Sequence, residues 1–357
     1  MTMTLFNNPD FDQHEKVICH YDAQSGLKAI VAIHNTRLGP ALGGCRIYPY
    51  ATDADAITDV LRLARGMTYK SALANLALGG GKSVIIADPR KDKTPELLLA
   101  MGRFVESLAG DYILGQDSGT TVNDLTTIAQ ETSHLVGNQT LTQNNQPHCT
   151  ADPSPYTALG VFASIQAAVA HRFGSNALDG IKVAIQGVGN VGMGLARHLH
   201  EAGAELLVSD VNEEQLKVAE QTLNARIVNS DDIHRQAVDI FAPCALGGSI
   251  NARSIEELQA SIIVGGANNQ LLEDTCGQAL QAKNILYAPD YVVNAGGVIF
   301  LEYLRTKRSP KDARQHILSI SDTLMEIFTC AEQTKMPTNA VADQLAQERF
   351  QGKTNHL

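Results

Sequence analysis

Two lysines and one aspartate carry the chemistry most worth following in this chain. Lys82 ends a run of three glycines in Leu-Ala-Leu-Gly-Gly-Gly-Lys-Ser-Val-Ile-Ile, Lys70 closes Arg-Gly-Met-Thr-Tyr-Lys upstream, and Asp117 stands in Gln-Asp-Ser-Gly-Thr. Glycines let backbone approach whatever the lysine addresses, and Val84 to Ile86 read as the start of a buried strand, so a cation sits where the chain turns dry. Two ammonium groups in one pocket repel each other and are poorly solvated, which favours a neutral amine near neutral pH. The expected chemistry is a general base with a cationic neighbour. The run lacks the G-x-x-x-x-G-K-[ST] spacing of a phosphate loop, although Ser83 follows the lysine. Alone it also fits a plain turn with a solvated lysine; Lys70 and Asp117 argue otherwise.

These side chains need elements to position them. Residues 28–33 (Lys-Ala-Ile-Val-Ala-Ile) form a short β-type run, and 34–44 read as a glycine-rich loop leading to Cys45, Arg46 and Ile47. Leu42, Gly43 and Gly44 either line a small apolar cavity or are ordinary loop. Residues 53–66 have helical spacing at Ala56, Val60, Leu63 and Ala64 and deliver 67–70 at their end; 94–108 read as a second amphipathic helix. Strand, helix and glycine loop recur to about residue 140, an α/β domain. The polar stretch 138–155, with Pro147, Pro153 and Pro155, reads as a linker. Residues 157–170 form an almost wholly apolar helix, expected between domains or under the next sheet.

The clearest signature follows. Lys-Val-Ala-Ile-Gln is a strand, then Gly187-Val188-Gly189-Asn190-Val191-Gly192, a helix through Leu195 and Leu199, and a second strand, 205–209, ending in Asp210. G-x-G-x-x-G alone is weak, but strand before, helix after and an acid about twenty residues on meet the test for a dinucleotide site. The glycines let a pyrophosphate reach the helix N-terminus. Asp210 is placed to accept from a ribose and repel a 2′-phosphate, so NAD is expected over NADP. Thr157 is counted with these cofactor residues. Further strands at 239–242, 261–264 and 285–287 end near Cys244, Ala245, Asn268, Asn269 and Asn294, which are ligand contacts or ordinary turn residues. Residues 313–331 read as one helix and 341–350 as a final short one.

A chain of 357 residues suggests two domains. With 44% apolar and 18% charged residues and a net charge of −10, the composition is that of a soluble globular protein and argues against nucleic-acid and anionic-membrane partners. Six scattered cysteines without a C-x-x-C pair read as reduced thiols, with no metal site. The first residues have no basic flank or apolar core, and no apolar run approaches spanning length, so a cytoplasmic location is expected.

Assembled, the chain resembles the Glu/Leu/Phe/Val amino-acid dehydrogenase family, and within it the leucine-specific members most. The resemblance runs from about Val17 to Arg349. It rests on Leu-Gly-Pro-Ala-Leu-Gly-Gly-Cys-Arg, Leu-Arg-Leu-Ala-Arg-Gly-Met-Thr-Tyr-Lys, Leu-Gly-Gly-Gly-Lys, Gln-Gly-Val-Gly-Asn-Val-Gly, Ile-Phe-Ala-Pro-Cys-Ala-Leu-Gly-Gly and Ala-Pro-Asp-Tyr-Val-Val-Asn-Ala-Gly-Gly. It implies an α/β chain of two domains: a substrate domain over residues 1–145, an NAD-binding Rossmann domain over 146–331, an active-site cleft between them, and a C-terminal helix, about 332–357, returning to the first. Position by position it implies that Lys70 holds the substrate carboxylate, Lys82 is the general base and Asp117 shuttles protons at the amine. Asn269 and Asn294 would lie near substrate and nicotinamide. Leu42, Gly115, Val298 and Leu301 would line the side-chain pocket, with Gly115 where alanine and Leu301 where valine is usual among leucine enzymes.

The implied activity is reversible oxidative deamination of an apolar L-amino acid, leucine or another branched-chain one, to the 2-oxo acid, ammonia and NADH, by a homo-oligomer. Phenylalanine or tryptophan is the alternative substrate. Leu42 replaces the lysine that glutamate-specific relatives use, so an acidic side chain would meet an apolar wall. A catalytically silent NAD-binding sensor is opposed by the intact Lys70, Lys82 and Asp117 set. A hydroxy-acid dehydrogenase would need a His–carboxylate pair, and no histidine stands in such a motif.

Overall fold

The computed structural model describes residues 5–138, 140–143, 146–150 and 152–352 and divides into two compact α/β units. The first runs to Asp152 and takes in Leu304–Thr306 and the chain from Ala346; the second comprises Pro153–Tyr303 and Lys307–Leu345. The sequence reading set the break at 145/146 and sent residues 332–357 back to the first domain. Residues up to Leu345 instead group with the second unit, where the Thr338 hydroxyl donates to the Tyr287 carbonyl (2.6 Å) and the Tyr291 hydroxyl to Asp343 (2.5 Å). Residues 353–357 lie outside the described residues.

The first unit contains β1 (Lys16–Asp22), β2 (Leu27–Asn35), β3 (Ala41–Tyr48), α1 (Asp53–Leu73), β4 (Gly79–Ile86), α2 (Pro95–Ser107), β5 (Tyr112–Gln116) and α3 (Val122–Ile128). Its sheet order is β1-β2-β4-β3-β5; β2 is antiparallel to both its neighbours, and β3 runs parallel to β4 and β5. Thr52 and Asp55 form a capping box that starts α1, with two acids in its first turn. Ala56, Val60, Leu61 and Ala64 then recur at helical spacing and bury against Ile30, Ala32 and Val84 on one sheet face. The opposite face, with Val31, Cys45, Ile47 and Ile85, packs on Leu97, Met101 and Phe104 of α2 and Leu125 and Ile128 of α3. In the stretch read as a linker, β6 (Thr140–Gln143) and β7 (Gln146–Thr150) form an antiparallel pair; residues 139, 144, 145 and 151 lie outside the described residues.

The glycine run read as a loop and the one that alone also fits a plain turn are both strands. Leu42–Gly44 belong to β3 and Gly79–Gly81 to β4, because here glycine serves interstrand and helix–strand approach rather than a turn. A Cβ on Gly43 would stand 1.7 Å from the Gly81 carbonyl oxygen, and one on Gly80 would stand 2.0 Å from the Thr68 nitrogen in α1.

The second unit begins with the apolar helix α4 (Ser154–Phe173). It continues through β8 (Lys182–Gln186), α5 (Asn190–Glu201), β9 (Glu205–Ser209), α6 (Glu213–Leu223), β10 (Arg226–Ile227), β11 (Ile240–Pro243), α7 (Ala252–Glu257), β12 (Ile262–Ile263), α8 (Thr275–Ala282) and β13 (Leu286–Tyr287). The helices α9 (Asp290–Val293), α10 (Gly296–Arg305), α11 (Pro310–Leu318), α12 (Ile320–Thr334) and α13 (Thr338–Gln351) follow. The sheet is parallel throughout, ordered β10-β9-β8-β11-β12-β13, so strand order reverses at β8 and opens a crevice beside β11 at the carboxyl ends. α4 packs within this unit against α5 and α12: a Cβ on Gly194 would stand 2.9 Å from Ala158 Cβ, and one on Gly160 would stand 3.1 Å from Ile320 Cδ1. The single helix expected over 313–331 is two, interrupted at Ser319, whose hydroxyl donates back to the His316 carbonyl.

Candidate active site

Register assembles the first half of the site. Leu42 pairs with Gly80 and with Ile113, Gly44 with Gly115, and Arg46 with Val84. Side chains alternate along a strand, so Leu42, Gly44, Arg46, Gly80, Lys82 and Gly115 share one face, the face that α1 covers in part. Because Gly80 has no side chain, the turn of α1 carrying Thr68 presses onto β4, and Lys70 lies two residues further along that helix. Lys82 lies two residues beyond Gly80.

Asp117 leaves the end of β5 and turns over Gly44, where a Cβ would stand 2.7 Å from its own Cβ. Its carboxylate reaches Lys82: Oδ2 is 2.6 Å from Nζ, and Lys82 is only 6% exposed. A second cation, Arg46, brings Nε to 3.3 Å from the same oxygen. Burial alone pushes the Asp117 carboxyl up, but the Lys82 ammonium and then the Arg46 guanidinium outweigh it and hold it below the ordinary carboxylate value. The Asp117 N–H donates to Thr120 Oγ1 (2.9 Å), and the Thr120 hydroxyl lies 3.0 Å from the Cys45 carbonyl, which fixes the turn against β3. Behind the face the buried Tyr112 hydroxyl donates to the Gly43 carbonyl (2.7 Å), holding the glycine strand flat. The described partners of Lys82 are therefore of opposite charge, and the ion pair is the main feature of its surroundings.

In the second unit the glycine segment has the form a dinucleotide needs. Gly187 is left-handed (φ 96°), and a Cβ on Gly192 would stand 1.9 Å from the Gly187 carbonyl oxygen, so neither position accepts a side chain. A Cβ on Gly189 would meet nothing within 4 Å, and no side chain caps α5 there, which leaves its first N–H groups for an anion. Asp210 accepts from the Val188 N–H (2.7 Å) and the Asn212 N–H (2.8 Å); a carboxylate has about four acceptor sites, so capacity for hydroxyl donors is left over. At the crevice Cys244 Sγ accepts from the Gly266 N–H, and burial pushes its thiol up to about 11. The Asn294 amide nitrogen donates to Asn268 Oδ1 (2.8 Å), while the buried Asn294 Oδ1 has no hydrogen-bond partner among the described residues.

Comparison with known proteins bears on both halves. A model of the Glu/Leu/Phe/Val dehydrogenase dimerisation domain matches residues 14–135, and one of the Glutamate/Leucine/Phenylalanine/Valine dehydrogenase domain matches 152–214 and 207–312. The chain belongs to the Glu/Leu/Phe/Val dehydrogenase family. It is 46% identical over 349 residues to leucine dehydrogenase of Geobacillus stearothermophilus, covering 98% of this chain and 94% of that one. It is 47% identical over 349 residues to L-tryptophan dehydrogenase of Nostoc punctiforme, covering 98% and 96%. The crystal structure of the Nostoc punctiforme enzyme superposes with a TM-score of 0.84 at 46% identity, covering 96% of this chain and 97% of that one. The molecule is thus an NAD-dependent L-amino-acid dehydrogenase with two α/β domains, one of them a Rossmann fold.

For this dehydrogenase the remaining expected residues distribute as follows. Leu42 is 3% exposed and flanks Gly44 on the catalytic face. Gly115 is buried, and a Cβ there would fit without a clash, in ordinary contact with Val136 Cγ1 at 3.8 Å and the Gly43 carbonyl at 3.9 Å. Val298 and Leu301 lie three residues apart on α10, the first buried and the second half-buried. Asn269 is left-handed (φ 52°) and exposed, and its carbonyl accepts from the Gly248 N–H. Asn190 and Ala245 are exposed, and Val191 is half-buried. The Thr157 hydroxyl donates to the Pro153 carbonyl at the head of α4 (3.2 Å).

Sequence reasoning gave no role to Arg46, Thr120, Val211 or Leu246. Val211 is 96% and Leu246 82% exposed, apolar side chains just beyond β9 and β11, the strands that flank β8. For Val211 the available signal was an apolar residue directly after a strand-ending acid. For Arg46 it was the even-numbered alternation with Leu42 and Gly44, hidden once that stretch was taken as a loop.

Proposed function

We propose that the enzyme catalyses reversible oxidative deamination of an apolar L-amino acid, leucine or another branched-chain one, to the 2-oxo acid and ammonia. The observation that carries this reading is the 2.6 Å Lys82–Asp117 pair on a sheet face cleared by glycines: an amine and a carboxylate in contact can take a proton from a reacting group and return one. When bound, NAD supplies the acceptor for the hydride leaving the α-carbon. The Gly187–Gly192 turn and the head of α5 would hold its pyrophosphate and Asp210 its ribose. Val211 and Leu246 would offer apolar surface to its adenine, and Asn294 Oδ1 an acceptor to its carboxamide.

Lys70 pairs with the substrate carboxylate and later with the developing carbonyl oxygen. Neutral Lys82 takes a proton from the water whose oxygen bonds to the imine carbon. Ionised Asp117 receives that proton from Lys82 across their 2.6 Å contact and delivers it to the carbinolamine nitrogen; the C–N electron pair leaves with ammonia while the hydroxyl proton passes to Lys82, neutral again, and the carbonyl forms. Leu42 excludes an acidic side chain, since an unpaired buried carboxylate costs several kcal/mol.

A second reading, an aromatic substrate, is favoured by the missing methyl at Gly115, where a Cβ would fit without a clash, and by the name of the Nostoc punctiforme relative. A homo-oligomeric enzyme is supported by the matched dimerisation-domain model and by β1, which pairs with β2 alone among the described strands. No helix among the described residues is long and apolar enough to cross a membrane. Initial rates of NADH formation across a panel of L-amino acids test the reading. Highest kcat/KM on leucine, isoleucine and valine is expected; highest on phenylalanine or tryptophan would transfer the assignment to the second reading, and no turnover by an NAD-binding preparation would defeat both.

A further inference from the structure

Asp117 faces a difficulty in the cycle just described, and the inference here rests on that reading of Lys82 and Asp117. Each time Lys82 gives up its proton, a largely buried carboxylate loses its nearest cation, and an uncompensated buried carboxylate tends to pick up a proton itself. A base next to such an acid would simply exchange protons with it. Arg46 stands at that point: its Nε is 3.3 Å from Asp117 Oδ2, and a guanidinium stays charged at any working pH. It is held from behind, with Nη1 2.8 Å from Asp59 Oδ2 of α1, and the Tyr50 hydroxyl donates to the same oxygen.

We propose that Arg46 is a positioning residue for the proton relay: a permanent cation, anchored by Asp59, that keeps Asp117 ionised and aimed at Lys82 while Lys82 is neutral. The groups around this centre are Lys82 from β4 and Arg46 from β3 on its own face, Lys70 from α1, which covers that face in part, the Cys45 thiol and Tyr112 hydroxyl from the opposite side of the sheet and, behind Arg46, Asp59 and Tyr50. Cys45 and Tyr112 are both pushed up by burial and stay neutral, so the fixed charges in contact with the pair are Arg46 and, behind it, Asp59. Removing a nearby positive charge favours the protonated form of every neighbour, and removing a negative one does the reverse, whichever member of the Lys82–Asp117 pair an observed pKa belongs to.

The test is the pH profile of kcat/KM for deamination in the full-length enzyme, with NADH binding as a check on folding. Arg46→Gln is expected to move the acid limb up by about one pH unit, the scale of an opposite charge at contact distance, with roughly a tenfold loss near neutrality that alkali recovers. Arg46→Lys is expected to restore most of the limb. Asp59→Asn is expected to move it the other way, and this arm decides the matter should Arg46→Gln not fold. A folded Arg46→Gln enzyme with an unmoved limb, a loss equal at all pH values, or an Asp59→Asn limb that stays put or rises would overturn the proposal. Turnover surviving in Lys82→Ala would instead defeat the underlying reading, a distinguishable result.

Discussion

Adding one methyl group at Gly80, on the same sheet face as Lys82, is expected to damage substrate binding by displacing α1. A Cβ there would stand 2.0 Å from the Thr68 nitrogen and 2.3 Å from its hydroxyl, whereas relaxed contacts begin near about 3.5 Å. The last turns of α1 must therefore move off β4 by about 1.5 Å, or the strand must move by as much. Overpacking of this kind costs about 1–3 kcal/mol, too little to unfold a two-domain enzyme but enough to lower its unfolding midpoint. Lys70 rides on the same turn, two residues from Thr68, and a displacement of about 1 Å at a catalytic contact costs on the order of a hundredfold. For Gly80→Ala we expect kcat/KM for the amino acid to fall about a hundredfold, through both KM and kcat, because the proposed contacts of Lys70 are to the substrate carboxylate and then to the developing carbonyl oxygen. NADH affinity, measured by fluorescence, should stay within about twofold. Steady-state kinetics of Gly80→Ala beside Gly115→Ala, whose added Cβ meets nothing closer than 3.8 Å, provide the comparison. Wild-type KM and stability in Gly80→Ala would refute the claim that this glycine sets the seat of α1 and Lys70.

Two other outcomes follow from the same geometry. Gly115→Ala adds a methyl group that meets its nearest neighbour at 3.8 Å, and a methyl-sized change in an apolar pocket is worth about 10–200-fold in discrimination; the ratio of kcat/KM for leucine over phenylalanine should rise, and a fall would remove Gly115 from the pocket. In the same unit His34 is pushed down to about 4, first by burial and then by the neighbouring His14, against 6.5 in an unfolded chain. Between these values the unfolded state binds more protons, so stability is complete above pH 6.5 and is lost as pH falls toward 4, by at most about 3 kcal/mol. Urea unfolding at pH 7.5 and 5 should show this loss in the native enzyme and a smaller one in His34→Gln; equal losses would assign the acid sensitivity elsewhere.

Much of the second unit was legible because its signals are local. An alternating or apolar run, a glycine turn and an amphipathic helix follow one another within about forty residues, and Asp210 closes the pattern. The first unit was harder. Gly43, Gly44 and Gly79–Gly81 carry no strand propensity, yet they are strand residues, since their value lies in contacts with Gly81, Asp117, Thr68 and Tyr112 that no local window contains. β1 left no trace because its residues are exposed or half-buried along its length, so no face alternates. The break at Ser319 depends on one hydroxyl turning back to the His316 carbonyl. The Lys82–Asp117 pair joins β4 to the end of β5 across β3, a product of strand order rather than spacing. Repulsion between Lys70 and Lys82 is the sequence argument for a base; the fold adds a cation–carboxylate pair with Arg46 beside it.

The central claim is that Lys82 moves the proton that lets water attack, and one substitution addresses it with little ambiguity. In Lys82→Ala, NADH should bind with native affinity while NADH formation from L-leucine and NAD falls by at least about a thousandfold, within the range general-base catalysis supplies. Near-native turnover in that variant would contradict the account, whatever the substrate proves to be.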